Sequence, residues 1–422
     1  MWYNNHVMTN RFNDDGLKIS LLGYGAMRMP TVDGRHANGW ARGASNAEID
    51  QKRLNEQIKY MLDNGVNYFD TSPAYCRGLS EGCLGKALKA SGYKREDYII
   101  ATKLSNFSPA QYPLEKCKEM FEKSLRELQT DYIDNYLLHS VGNGDFKTFS
   151  KRYLENGALD WCVELRKSGR IKNLGFSFHG DPKVFEWCMQ NHDKYKWYFC
   201  LIQMNYVDWR HAKQVNKRNL DAKYLYDELT KRKIPVAIME PLLGGSLAKY
   251  NYAVAKELTH LDPEATPAKW AFRFCGSHPN VMTVLSGMTF EEHIKENIET
   301  FSPLKVCSEK ELEALERAAK AYLGFKTIPC THCNYCMPCP YGLDIPAHFA
   351  FRNEILTVKD YPPPGEVLAR YRAAIPEPMR RAEHCTGCDR CAGHCPQSIN
   401  IPKEIAKIDE WIDGLVDREI AE

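Results

Sequence analysis

A mixed α/β fold, a (β/α)8 barrel followed by a smaller, mainly helical, cysteine-rich domain, is what this sequence predicts, and two observations predict it. From Ile19 to Gly287 one unit returns eight times: a short apolar run, a turn, then a helical pattern. Further on, eight of the sixteen cysteines fall in two runs, Cys330-x2-Cys333-x2-Cys336-x2-Cys339-Pro340 and Cys385-x2-Cys388-x2-Cys391-x3-Cys395-Pro396.

The elements follow in order. Arg11–Lys18 carries an Asp15-Gly16 turn between short extended pieces and predicts a small hairpin capping the barrel bottom. The strands read as Ile19–Gly25, Val66–Asp70, Tyr98–Lys103, Tyr132–His139, Ile171–Ser177, Phe199–Met204, Pro235–Glu240 and Val281–Gly287. Strands covered by helices on both faces are near-continuously apolar, as Tyr98-Ile-Ile-Ala-Thr102 and Val236-Ala-Ile-Met239 are. Ser45-Asn46-Ala47-Glu48 has the form of a capping box opening the first helix, with Ile49, Leu54, Ile58, Met61 and Leu62 at helical spacing before Gly65. Further helices read at Leu114–Leu128, Leu154–Ser168, Lys183–Gln190, Leu220–Lys231, Thr266–Cys275, Glu291–Phe301 and Ser308–Tyr322. A doubly wound open sheet would carry G-x-G-x-x-G after its first strand, and Gly23-x-Gly25 lacks the third glycine.

The cysteine runs point to iron–sulfur chemistry. Four soft thiolates on one short loop closed by Cys-Pro are what a cubane cluster needs. Paired Cys-x2-Cys units also bind zinc, but two pairs suffice for that, whereas here a third cysteine follows at once and proline follows the fourth. In two-cluster ferredoxins the fourth cysteine of each run ligates the other cluster, so two [4Fe–4S] clusters are expected. One set is Cys330, Cys333, Cys336 and Cys395, and the other is Cys385, Cys388, Cys391 and Cys339. The first run closes with x2 rather than x3, a loop one residue tighter than the ferredoxin norm. An internal repeat, Cys339-Pro-Tyr-Gly-Leu-Asp-Ile-Pro346 and Cys395-Pro-Gln-Ser-Ile-Asn-Ile-Pro402, brackets helical segments at Ala347–Thr357 and Glu366–Ala374. The remaining cysteines are scattered and read as apolar residues.

A chain of 422 residues exceeds one ordinary core, which predicts a barrel over 1–305, a linker helix over 306–325 and a cluster domain over 326–422. With net charge +2 and no polybasic run, neither nucleic acid nor a membrane surface is an expected partner. Met1–Asn10 shows no secretory pattern, and no stretch holds eighteen apolar residues in succession. Clusters and free thiols need reducing surroundings, so a cytoplasmic location is expected.

In such a barrel the chemistry belongs at the C-terminal strand ends. Reading them gives Asp70 after the second strand with Tyr75 five residues on, Lys103 ending the third and His139 ending the fourth. Singly these are a cap, a rim charge and a core histidine; together they suggest one site. Here the chain resembles the aldo-keto reductase family over roughly residues 10 to 305, in Gly65-Val-Asn-Tyr-Phe-Asp-Thr-Ser-Pro-Ala-Tyr75, Ser80-Glu81 with Leu84-Gly85, Tyr98-Ile-Ile-Ala-Thr-Lys103 and Asp131-Tyr-Ile-Asp-Asn-Tyr-Leu-Leu-His139. With the cysteine runs added, it is similar to the subgroup carrying a C-terminal two-cluster ferredoxin-like domain.

The resemblance implies a tetrad. Tyr75 gives a proton to a carbonyl oxygen during hydride attack, Lys103 lowers the phenol pKa, Asp70 holds the ammonium, and His139 orients the carbonyl. It also implies nicotinamide contacts at Gly25 and Met27, Ser177, Gln203, Met239, Gly287, Glu296 and Asn297. Departures are Phe178 for the family's Asn after Ser177, Met239 for a stacking aromatic, and Gly287, Met288 and His293 where a Lys-Ser pair and an Arg clamp a 2′-phosphate. NADP and NAD both stay open as cofactor. Substrate contacts are expected at Arg28 and Trp40, in the loops 27–46 and 140–150. The leading expectation is an oxidoreductase acting on a small carbonyl or alcohol, with clusters passing electrons through an intermediary, a flavin, for which no motif is visible, or a redox partner protein. The alternatives are the same enzyme with structural clusters, or an electron-transfer module on an inactive barrel.

Overall fold

The structure is a computed structural model, and it describes residues 7–12, 16, 18–36, 47–249, 251–325, 327–376, 381–395 and 397–421. Two short strands, β1 (Asn10–Phe12) and β2 (Lys18–Ser20), pair antiparallel. Arg11 donates to the carbonyls of Val281 and Gly276 at 3.3 and 3.0 Å, which seats this hairpin under the barrel, as expected; Asp15 of its turn lies outside the described residues.

Eight parallel strands close the barrel: β3 (Leu22–Gly25), β4 (Tyr68–Asp70), β5 (Ile99–Leu104), β6 (Ile133–Val141), β7 (Ile171–Phe178), β8 (Phe199–Gln203), β9 (Val236–Met239) and β10 (Val281–Ser286), which returns to β3. Each falls on its expected apolar run, except that Ile19–Gly25 is divided, its first part serving the hairpin. Inside the barrel Tyr68, Ile99, Ala101, Leu137, Phe199, Leu201, Ala237 and Leu285 fill the space between the strands. Gly175 is required there: a Cβ on it would lie 2.6 Å from the Phe199 ring.

Helices bury apolar stripes against the outer strand faces. In Gln51–Asp63 the stripe is Leu54, Ile58, Met61 and Leu62, each aliphatic burial being worth about 1.5–3 kcal/mol. This helix does not start in the expected capping box. Ser45 and Asn46 lie outside the described residues, and the cap is Asp50, whose carboxylate accepts the Arg53 N–H at 3.0 Å. The reason is backbone pairing: Val32 N–H reaches Glu48 O at 3.0 Å and Asp50 N–H reaches Pro30 O at 2.9 Å, holding the stretch before Gln51 extended. The helix expected from Leu154 likewise starts at Ala158, after Gly157 at φ +72°, because a wide turn at Ser150–Leu154 intervenes.

The capping box at Ser308 and Glu311 does form, and the helix Glu309–Leu323 packs on the barrel's outer layer. Beyond it, Ile345–Leu356, Pro364–Ala374 and Ile401–Ala421 make a helical domain. The sequence repeat becomes a structural one. Asp344 and Asn400 accept the N–H of Ala347 and Lys403 at 3.0 and 3.2 Å, and Pro346 and Pro402 sit in the first helical turns. The last helix was not among the expected elements, although Ile401, Ile405 and Ile408 form its buried stripe. Among the described residues no helix is long and apolar enough to cross a membrane.

Candidate active site and cysteine clusters

The four strand-end residues converge. Lys103 Nζ lies 2.5 Å from Asp70 Oδ1 and 2.7 Å from the Thr71 carbonyl oxygen, with both charged side chains buried. The same ammonium is 4.8 Å from the centre of the Tyr75 ring, which meets the His139 ring edge-on at 6.0 Å between centroids. Tyr75 is placed by an uncommon turn: Cys76, Arg77 and Gly78 have φ of 48°, 59° and 84° in succession. Strain of this kind persists where surroundings enforce it. Here the Cys76 thiol points at the Ala26 and Met27 carbonyl oxygens, 3.6 and 3.5 Å away.

His139 is held from two sides. Its carbonyl accepts from Arg152 Nη2 and Tyr153 OH, both at 2.7 Å, and these donors come from the wide turn at Ser150–Leu154. Its Nδ1 is 2.6 Å from Ser105 Oγ, which is 2.9 Å from Ser72 Oγ. Neither serine was singled out in the sequence, where nothing marks a hydroxyl for that duty.

Burial governs the electrostatics. It holds His139 well below the ordinary histidine range, with Lys103 adding to the effect, so the ring is neutral. Burial also pushes the Tyr75 phenol well above its usual value, and Asp70, Glu240 and Cys76 push the same way. The net position of the phenol is therefore set by burial, above its ordinary value, with the Lys103 ammonium 4.8 Å from the ring centre. Burial draws Asp70 up and Lys103 down, and their ion pair opposes both shifts.

A cleft opens over this site. Asp70 and Tyr75 share its lining with six of the eight expected cofactor contacts, Gly25, Met27, Met239, Gly287, Glu296 and Asn297. Two others are engaged elsewhere. The Ser177 hydroxyl accepts the Ser140 N–H at 2.8 Å. Gln203 donates to Asp208 at 2.8 Å and accepts from Gln397 at 3.2 Å. Arg28 lines the cleft opposite Glu240, whose carboxyl is raised by burial and pulled back by the Arg28 charge. Trp40 lies outside the described residues.

The cysteines sort into two foursomes. Cys330, Cys333, Cys336 and Cys395 line one cavity, and Cys339, Cys385, Cys388 and Cys391 line another. Among the described residues no three Cys, His, Asp or Glu side chains converge on a single metal ion. Four thiols spaced around a cavity fit the cubane that the cysteine spacing calls for. The first foursome adjoins the barrel mouth: Arg28 Nη2 donates to Thr331 O at 3.0 Å, and Gln397 reaches Gln203. The second faces outward, with Cys388 exposed beside exposed Thr386, Asp389 and Arg390.

Comparisons with known proteins agree with this geometry. The model of the Aldo/keto reductase family matches residues 22–320, and that of the 4Fe-4S dicluster domain matches residues 329–401. L-galactose dehydrogenase of Arabidopsis thaliana is 35% identical over 163 residues, which is 38% of this chain and 46% of that protein. The chain thus spans less than half of that relative's length. The uncharacterized oxidoreductase YqkF of Bacillus subtilis is 26% identical over 279 residues, 61% of this chain and 85% of that protein. Among solved structures, the holo form of aldo-keto reductase AKR11C1 from Bacillus halodurans superposes with a TM-score of 0.56 at 24% identity, covering 74% of this chain and 97% of that one. The chain belongs to the aldo/keto reductase family of oxidoreductases, and a 4Fe-4S dicluster domain follows its barrel.

Proposed function

We propose that the barrel interconverts a carbonyl and an alcohol of a small molecule, with Tyr75 as the acid in reduction and the base in oxidation. The observation that carries this reading is the seat of Lys103, buried 2.5 Å from Asp70 and 4.8 Å from the Tyr75 ring centre, behind the two residues of the four that line the open cleft. The raised phenol keeps its proton at neutral pH until negative charge develops on the carbonyl oxygen. When Tyr75 gives the proton up, the nearby ammonium stabilises the phenolate, and Asp70 keeps that ammonium in place. Neutral His139 offers a hydrogen bond to the carbonyl oxygen.

A nicotinamide, NAD or NADP, supplies the hydride when bound. Gly25, Met27, Met239, Gly287, Glu296 and Asn297 line the space that would hold it, while Ser177 and Gln203 are committed elsewhere. The eight clustered cysteines would hold two [4Fe–4S] clusters in the foursomes described, adding one-electron chemistry. A soluble redox partner protein and a reducing, cytoplasmic setting belong to the same proposal. The contacts of Thr331 and Gln397 with the barrel favour a second reading, in which the clusters staple the C-terminal domain to the rim.

Anaerobically purified protein, given NADH or NADPH and a panel of aldehydes and ketones, tests both. Carbonyl-dependent oxidation of the nicotinamide, lost in Tyr75→Phe, supports the reductase. Electron paramagnetic resonance on the same samples separates electron transfer from stapling, because a purely structural cluster takes up no electrons from the reduced enzyme.

A further inference from the structure

We propose that Ser105, backed by Ser72, is a positioning residue that holds His139 as the neutral tautomer with its proton on Nε2. The inference rests on the reading of the barrel as a carbonyl-reducing site and deepens it, because only that tautomer can donate to the substrate oxygen.

Ser72, Ser105 and His139 are all buried, so their hydroxyls and Nδ1 need hydrogen-bond partners inside the fold. The distances define a chain: Ala74 N to Ser72 Oγ 3.1 Å, Ser72 Oγ to Ser105 Oγ 2.9 Å, and Ser105 Oγ to His139 Nδ1 2.6 Å. A backbone N–H can only donate, so Ala74 takes one of the two lone pairs of Ser72 Oγ and the Ser72 hydrogen must find an acceptor elsewhere. Ser72 accepts from Ala74 and turns its own hydrogen to Ser105; Ser105 then gives its hydrogen to Nδ1. In the opposite sense Nδ1–H would donate to Ser105 and Ser105 would donate to the second lone pair of Ser72 Oγ or to the Lys103 carbonyl oxygen at a long 3.5 Å, and the Ser72 hydrogen would then have no acceptor within this chain of groups. The forward sense leaves Nδ1 as the acceptor and the proton on Nε2.

The ring cannot easily escape this arrangement. Arg152 and Tyr153 hold its main-chain carbonyl, and the Phe107 ring packs against the imidazole with centroids 4.9 Å apart. Loss of the Ser105 hydroxyl leaves Nδ1 with Ser72 alone at 3.4 Å, and admits the tautomer that turns a bare Nε2 lone pair toward the substrate oxygen.

The experiment uses the full chain with its histidines labelled with nitrogen-15, His139 being assigned by its absence in His139→Gln. At pH 7 the wild-type spectrum should show a protonated Nε2 and a bare Nδ1. Ser105→Ala should give a mixture of tautomers, and Ser105→Thr, which keeps the hydroxyl, should restore the wild-type pattern. With 4-nitrobenzaldehyde and NADPH as probes, Ser105→Ala should lower kcat/KM by about ten- to hundredfold, mostly through kcat, and Ser105→Thr should recover most of it. A wild-type His139 protonated on Nδ1 overturns the proposal, and so does an altered tautomer in Ser105→Ala with unchanged kcat/KM. If the wild-type protein reduces no carbonyl at all, the functional reading fails, while the nitrogen spectrum still decides the tautomer.

Discussion

Thr331, one residue beyond the first cluster cysteine, lies so close to Gly244 in the loop after β9 that a Cβ on Gly244 would come within 2.3 Å of the Thr331 Cα. The cluster loop and the barrel rim thus touch backbone to backbone, and Gly244 has φ +65° besides. Gly244→Val forces the loops apart, because no side chain can rotate to relieve the clash. The expected result is an intact barrel by circular dichroism, faster protease cleavage near 326–345, and a loss of about 1–3 kcal/mol in denaturant unfolding. Unchanged protection would mean that this contact does not hold the two parts together.

Tyr75→Phe removes one hydroxyl and should leave the fold intact while carbonyl reduction falls at least about 100-fold. Lys103→Met should do comparable damage, and the double variant should be little worse than either, since both residues serve one proton transfer. Additive losses in steady-state kinetics would separate their roles and contradict the shared mechanism.

Iron and acid-labile sulfide should be found at about eight each per chain, with little zinc. Cys333→Ser and Cys388→Ser each strike a different foursome, so either should remove about four irons and leave the other cluster's signal. Stoichiometric zinc without sulfide would sink the cluster assignment.

The helix Glu309–Leu323, read in the sequence as a linker, carries Glu311, which meets the buried Arg273 guanidinium at 2.8 Å; Glu316 and Arg317 add contacts to His211 and Glu257. We propose that the barrel unit runs through this helix. A chain cut after residue 307 leaves Arg273 buried without its carboxylate and should lose about 3–5 kcal/mol, whereas a cut after 325 should keep the barrel's cooperative thermal transition. Equal stability of the two truncations would place the boundary before the helix.

His278 is packed among Trp209, Phe274 and Tyr226, and burial pushes its imidazole down to about 4. The unfolded histidine binds its proton near pH 6.5, so between those values the unfolded state holds more protons and stability falls as pH falls. Glu81 and Asp208, both raised to about 6 by burial, act in the opposite sense. The comparison with His278→Phe isolates the histidine: Tm should drop less from pH 7 to pH 5 in the variant, on the order of 2–4 °C for each kcal/mol of linkage removed. Parallel Tm profiles would show that His278 does not contribute.

Local pattern carried much of this protein. Eight apolar runs with helices between them specified a closed parallel barrel, because strands covered on both faces must be continuously apolar. The spacing of the cysteines picked out the two foursomes that the fold gathers around two cavities, and the strand-end rule named Asp70, Tyr75, Lys103 and His139, which the fold brings together. The sequence could not settle what depends on groups distant along the chain. That Ser177 accepts from Ser140, and that Gln203 bonds to Asp208 and Gln397, is set by the packed fold. The upward shift of Tyr75 follows from burial beside Asp70 and Glu240, and the support of His139 from hydroxyls 34 and 67 residues away. Spacing reports which face of an element is apolar and which ligands lie on one loop; hydrogen bonds and desolvation act through space, and only the packed fold sets those distances.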